Sequence, residues 1–289
     1  MHHKKMTAGS ATIIISFLVV ISSLNSCDQK PGNNKQITGS TMAETASNKQ
    51  EVYIDLKKVL SQNNHIKTSD IDVKYDHFFK TSKKFRGYFI NTLLDSVIKS
   101  VRFDTAHAIL IFECIDGYRP VMDLSKIYGD AKGYIVFEDL DSNLKKNWPD
   151  SIDKKFSPFY LAWDDVKKED DSFMWPYGLT GLKLMSANQE YETIYPYKDA
   201  ALVNGFYLFR QNCIKCHSIN KIGGTMGPEF NVPRNITEYW KEQDILSFAK
   251  NPSAFRYSSH MPAITNVPDT DLLEIIRYIK SMKNNKPVN

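Results

Sequence analysis

The chain has 289 residues, 42 % of them apolar, and a net charge of +4 that falls to +2 once Lys4 and Lys5, which no acid accompanies before Cys27, are set aside. That balance excludes the polybasic surface that nucleic acid or an anionic bilayer requires, and the apolar share suits a packed core rather than a disordered chain. Only four cysteines and seven histidines are present, so residues able to hold a metal or cofactor can be placed one by one.

Lys4 and Lys5 precede an apolar run from Ala11 to Leu24. It is long enough for a signal-peptide core and too short for a comfortable membrane span, so residues 1–26 read as an export signal. Leu24-Asn25-Ser26-Cys27 resembles the processing box of bacterial lipoproteins, although Asn25 is less usual at its place. The resemblance implies a lipid on Cys27 and a lipid-anchored place in the bacterial cell envelope, facing the periplasm; plain secretion is the alternative. Residues 27–50 are polar, without an aromatic, and read as a flexible tether.

Residues 51–190 carry strand patterns and one clear helix. The helix is expected over Phe89–Val101, with Leu93, Leu94, Val97 and Ile98 facing inward. Ala108–Ile115 is a β-rich apolar run, Asp116-Gly117 a two-residue hairpin signal, and Tyr118–Leu124 a continuation in alternation. Pro120 cannot donate to a ladder, which puts that second strand at an edge or a bulge. Tyr134–Leu140, Phe159–Trp163 and Leu179–Met185 read as further strands. His65, His77 and His107 are scattered without metal-ligand spacing and read as solvated or structural.

Cys114-Ile115-Asp116-Gly117-Tyr118, with the Leu94-Asp95 helix and Trp175-Pro176-Tyr177, resembles a shortened molybdopterin-binding domain of sulfite-oxidase-like oxidoreductases. In catalytic members a cysteine thiolate ligates molybdenum, which would be Cys114; its other reading is a small buried apolar residue on a strand. A pyranopterin phosphate needs clustered arginines, and only Arg86, Arg102 and Arg119 stand here, widely spaced. The expectation is therefore a scaffold without cofactor that docks a partner or shapes access to the next region, and molybdopterin is not expected.

Residues 191–289 open with a helix expected over Asp199–Gln211 and close with one over Asp269–Met282, with Asp269 and Thr270 as capping candidates. Gly205 in the first would allow the second to approach closely, against Tyr278 or Ile279. Between them lies Cys213-Ile214-Lys215-Cys216-His217. Two sulfurs three positions apart share one face of a helical turn, where both can reach the vinyl groups of a porphyrin edge, with the adjacent histidine beneath the iron. A zinc ribbon would need a second C-x-x-C, and Cys27 and Cys114 are single; a redox dithiol would follow a strand rather than a helix. Covalent haem c, one per chain, is the reading retained. So small a region needs the haem as part of its core, so the apoprotein is expected to fold poorly.

Gly205 and Phe209, the haem motif, Gly227-Pro228, Met261-Pro262 and the helix holding Tyr278 together resemble the small mono-haem class of cytochrome c. That resemblance implies an all-helical fold around the cofactor and a role for the Pro228 carbonyl in orienting His217. The sixth iron ligand must fold back over the opposite haem face; Met261, stiffened by Pro262, suits a soft low-spin site, the alternatives being an open position or another ligand, and the neighbouring His260. The chain is thus expected to be α+β, a strand-rich domain followed by an all-α cytochrome c domain. Its expected function is electron transfer with redox partner proteins of the cell envelope, without nucleic acid. The alternatives are a molybdenum oxidoreductase with an in-chain haem acceptor and a haem sensor or peroxidase-like protein with a vacant iron position.

Overall fold

A computed structural model of the chain describes residues 50–62, 66–141 and 156–287. The expected export signal, Cys27 with its expected lipid, all but the last residue of the expected tether, and His65 lie outside them. Among the described residues no helix is long and apolar enough to cross a membrane.

The first region runs β1 (Glu51–Asp55), α1 (Leu56–Gln62), β2 (Thr68–Val73), β3 (Lys83–Phe89), α2 (Ile90–Val101), β4 (Ala108–Cys114), β5 (Val121–Asp123), α3 (Leu124–Ile127), β6 (Gly133–Asp139), β7 (Phe159–Trp163), β8 (Tyr177–Ser186) and α4 (Ala187–Tyr191). Every strand pair in it is antiparallel, in the order β2-β3-β6-β7-β8-β4-β5, with β1 on β8. The strand with Pro120 just before it, β5, closes one edge, and Pro120 contributes only its carbonyl, to the Phe112 N–H at 2.9 Å. The hairpin loop between β4 and β5 is longer than the two residues expected. Cys114 N–H donates to the Tyr118 carbonyl (3.2 Å) and Gly117 N–H to the Cys114 carbonyl (3.1 Å), leaving Ile115, Asp116 and Gly117 in the loop, with Gly117 at φ +84°. A three-residue loop with a left-handed glycine at its end matches strand twist by a one-residue bulge.

The apolar run of β4 is buried on both faces, and the two faces serve different cores. Ala108, Leu110 and Phe112 pack with Leu93 and Leu94 of α2, Leu56 of α1 and Leu124 of α3. Ile109 and Ile111, pointing the other way, join Met185 of β8 in a cluster with Phe206, Phe209, Leu272, Ile276 and Tyr278 from the helical region. A third cluster around Phe85, Phe156 and Tyr160 fills the far end of the sheet.

The second region runs α5 (Val203–Asn212), β9 (Ser218–Ile219), β10 (Ile222–Gly223), α6 (Glu242–Lys250), α7 (Pro252–Phe255) and α8 (Asp269–Ser281). α5 and α8 cross where Gly205 faces Glu274; a Cβ on Gly205 would lie 2.3 Å from the Glu274 carbonyl oxygen and 2.9 Å from Tyr278 Cβ, so only glycine fits. The capping expectation for α8 is corrected: Pro268 precedes the first turn, Asp269 lies inside it paired to Lys250 at 2.8 Å, and no side chain caps the helix. The all-helical expectation is corrected too, since β9 and β10 form a two-stranded antiparallel ladder. Its turn residues Asn220 and Lys221 both have positive φ (53° and 68°), the geometry of a tight hairpin, and it reverses the chain directly after His217. The molecule is a strand-rich antiparallel sheet followed by a predominantly helical region.

Candidate haem site

The helix α5 ends as it delivers the motif. Its last amide bonds run from Cys213 and Ile214 to the Phe209 carbonyl (2.8 and 3.1 Å), after which Cys216 and His217 N–H both return to the Cys213 carbonyl (3.1 and 2.9 Å). Residues 213–217 are therefore one closed turn, with both thiols and the imidazole on it. Burial pushes the Cys213 thiol up to about 12 and raises Cys216 as well. Among the described residues no group of three His, Cys, Asp or Glu could hold a bare metal ion.

The chain then returns to the imidazole. Gly224 N–H bonds the Ile214 carbonyl (2.8 Å) and Gly227 N–H the Cys216 carbonyl (2.7 Å), bringing the Pro228 carbonyl to 2.9 Å from His217 Nδ1. A carbonyl only accepts, so Nδ1 carries the proton and Nε2 keeps its lone pair. Burial lowers the His217 pKa, opposed by the bond to Pro228, and the ring is held in the neutral form that ligates metals. Phe230 stacks on one side of the ring (centroids 4.3 Å, planes 18° apart), and a Cβ on Gly227 would lie 2.3 Å from its Cε1. An oriented neutral imidazole with two thiols on the adjoining turn fits a covalently attached haem.

Sequence reasoning missed what fastens this loop. The Glu229 carboxylate accepts the amides of Asn220 (2.9 Å), Lys221 (3.0 Å) and Asn231 (2.8 Å), joining the β9–β10 turn to the segment after Pro228. Three buried asparagines extend the lattice to the end of α8. Asn231 Nδ2 donates to Asn220 Oδ1 and the Met282 carbonyl (both 2.8 Å), Asn235 Nδ2 to Asn231 Oδ1 (2.8 Å) and the Ile279 carbonyl (2.7 Å), and Asn220 Nδ2 to the Asn285 carbonyl (2.6 Å). The one signal for it in the sequence is the spacing Asn231 and Asn235, four apart, each side of Pro233.

Met261 stands on a different segment from Cys213, Cys216, His217 and Pro228. It is half-buried in the loop between α7 and α8, its N–H 3.3 Å from Ser259 Oγ, while His260 is exposed. That loop is fastened to α6 by Ile264 N–H on the Ala249 carbonyl (2.9 Å) and Lys250 Nζ on the Val267 carbonyl (3.0 Å). Cys114 ends β4, and burial raises its thiol far above the ordinary range. Arg86 is committed to Asp70 and Glu138, and Arg119 to Glu113 and Glu190. His77 stacks on Trp175 (5.0 Å) and His107 sits at positive φ beside β4.

Residues 200–279 match the family described as cytochrome C oxidase, cbb3-type, subunit III. No curated protein and no solved structure matches the chain. The comparisons lend no support to the sulfite-oxidase resemblance of residues 51–190. The matched segment opens just before α5 and ends within α8, enclosing the motif turn, Pro228 and Met261. The match supports a cytochrome c domain in the C-terminal region, and such a domain implies haem c and suggests haem-based electron transfer.

Proposed function

We propose that the chain is an exported electron carrier, anchored in the bacterial cell envelope by a lipid on Cys27 and facing the periplasm. It holds one haem c through thioether bonds to Cys213 and Cys216, ligated by His217 and Met261, and exchanges electrons with redox partner proteins of the envelope. The observation that carries this reading is the His217 Nδ1–Pro228 bond beside Cys213 and Cys216 on one closed turn, inside the segment matched as cytochrome c. Bound there, haem supplies a one-electron couple between ferrous and ferric iron. Pro228 holds the imidazole tautomer and raises the basicity of Nε2, Phe230 fixes the ring plane, and the loop carrying Met261 supplies a thioether from a segment fastened to α6.

A pyridine haemochrome spectrum of the exported protein reads haem number and covalent attachment together. We expect one haem per chain, resistant to acid acetone, and a pigment extracted by that treatment defeats the reading. The ferric sulfur-to-iron absorption band is expected in the parent protein and absent in Met261→Ala; a band that persists in the variant removes Met261 as ligand. Protection of the intact mature chain in membranes, lost on Cys27→Ser, tests the anchor.

The first region supports a scaffold role, as a molybdenum-free member of the fold its sequence resembles. A molybdenum site asks for a thiolate at Cys114 and arginines open to a phosphate. Arg86 and Arg119 are bound to carboxylates, which disfavours the second. Stoichiometric molybdenum in protein matured in a host that makes molybdopterin would reverse that judgement.

A further inference from the structure

Resting on the haem reading above, we propose that the hairpin loop Cys114–Arg119 is a working part of the haem site. Through it the sheet region sets the orientation and donor strength of His217.

The loop reaches both segments that hold the imidazole. Arg119 N–H donates to the Lys215 carbonyl (2.8 Å), inside the motif turn and two residues before His217. Thr225 N–H donates to the Gly117 carbonyl (2.9 Å), at the start of the short stretch that ends in the Pro228 carbonyl. The sheet thus grips the turn that presents the ring and the strand of chain that orients it, one bond on each.

The grip is built for a fixed distance. Gly117 has φ +84°, and a Cβ there would lie 2.3 Å from Thr225 Oγ1 and 3.1 Å from the Met226 nitrogen, so no side chain can stand between the two backbones. Arg119 is locked by two carboxylates from different elements: Nε to Glu113 of β4 at 2.9 Å and Nη1 to Glu190 of α4 at 2.5 Å. The guanidinium is 15 % exposed and Glu190 4 %, which removes most solvent screening. Tyr118, between the two bonded residues, is half-buried. Simple packing of two surfaces would need none of these backbone bonds to Lys215 and Thr225.

The consequence runs through the proximal hydrogen bond. A short, aligned Nδ1–H···O bond makes the opposite nitrogen a better donor and favours ferric iron. Loosening Gly117 from Thr225 lets the Pro228 carbonyl drift from the ring, weakens the donor, and raises the reduction potential.

The test uses the full mature chain with haem attached. Two variants release the loop: Gly117→Val, and the charge-balanced pair Arg119→Gln with Glu190→Gln, which decides alone if the first does not fold. Ile127→Ala, on α3 in the sheet-side core, controls for lost stability. We expect faster hydrogen exchange of the Thr225 and Arg119 amides, moved hyperfine-shifted haem methyl resonances, and a higher potential in the loop variants. In Ile127→Ala we expect a lower melting temperature and an unmoved potential.

The proposal fails if the loop variants keep the parent potential and resonances. It also fails if their potential falls, which reports water at the Cys216 edge instead, or if Ile127→Ala shifts it equally. A parent protein without covalent haem defeats the carrier reading. Bound haem with an unmoved potential defeats only this one.

Discussion

The two regions solve the same problem, holding a chain in one shape, by different means. In the sheet region alignment comes from the strands themselves: β4 and β8 pair over seven residues of β4, and alternate side chains then fall automatically into one core or another. The haem region has short helices and long irregular loops, and its buried polar side chains, His217, Ser218, Asn220, Asn231 and Asn235, lie outside the helices. There, side-chain hydrogen bonds do the work that strand pairing does in the sheet. A ligand loop must present a ring and a carbonyl at set places where no regular element can run, so its backbone groups are satisfied by asparagine amides and one carboxylate.

The contrast can be broken most severely at the motif. Cys213→Ser with Cys216→Ser should abolish covalent haem and remove cooperative melting of the helical region followed by circular dichroism, while the sheet signal persists. Full helicity with a sharp transition would show that the helical region needs no cofactor. Next, Gly205→Val forces α5 from α8 and should cost about 3 kcal/mol in denaturant unfolding, as overpacking does. Asn231→Ala takes the Nδ2 donor from Asn220 Oδ1 and from the Met282 carbonyl and one of the two acceptors from Asn235 Nδ2, which should cost about 2 kcal/mol. An exposed sheet-side substitution such as Tyr53→Ala should cost less, and parity between the two would undo the distinction.

The smallest effect sharpens the comparison from the sheet side. Burial raises the Asp76 carboxyl above its ordinary range, against the bonds it accepts from Phe79 N–H, the Tyr160 hydroxyl and Phe78 N–H. Because the folded value lies above the unfolded one, its favourable contribution is complete below the ordinary aspartate range and is lost as pH rises through the raised value. Asp76→Asn should flatten that decline in a stability profile on the alkaline side of the ordinary aspartate range, without moving the haem spectrum. A slope unchanged by the substitution would assign the decline to another group.

Long and periodic segments were readable from sequence, as were residues whose chemistry is tied to spacing. β7 falls at Phe159–Trp163 as expected, and α5 and α8 lie where 3.6-residue apolar spacing puts them. The strands β1, β2 and β3 escaped because few of their residues are buried; in β2 only Ile71 and Val73 are, among polar neighbours. α6 escaped for the same reason, with Leu246 its one buried residue. The unbroken apolar run of β4 marked a strand but could not say that its second face belongs to the haem region. Cys213, Cys216 and His217 announce themselves by spacing. Arg119 and Gly117 do not, because their partners Lys215 and Thr225 lie about a hundred positions away and the bonds use backbone atoms common to any residue.

The double-sided strand β4 has a practical consequence for dissecting the molecule. A fragment starting at Tyr191 would uncover the flank of Phe206, Phe209 and Ile276 that Ile109, Ile111 and Met185 now shield. That greasy stripe would invite self-association, so anyone transplanting the pigment-bearing half should recolour the stripe with hydrophilic substitutions or carry β4 and β8 along with it.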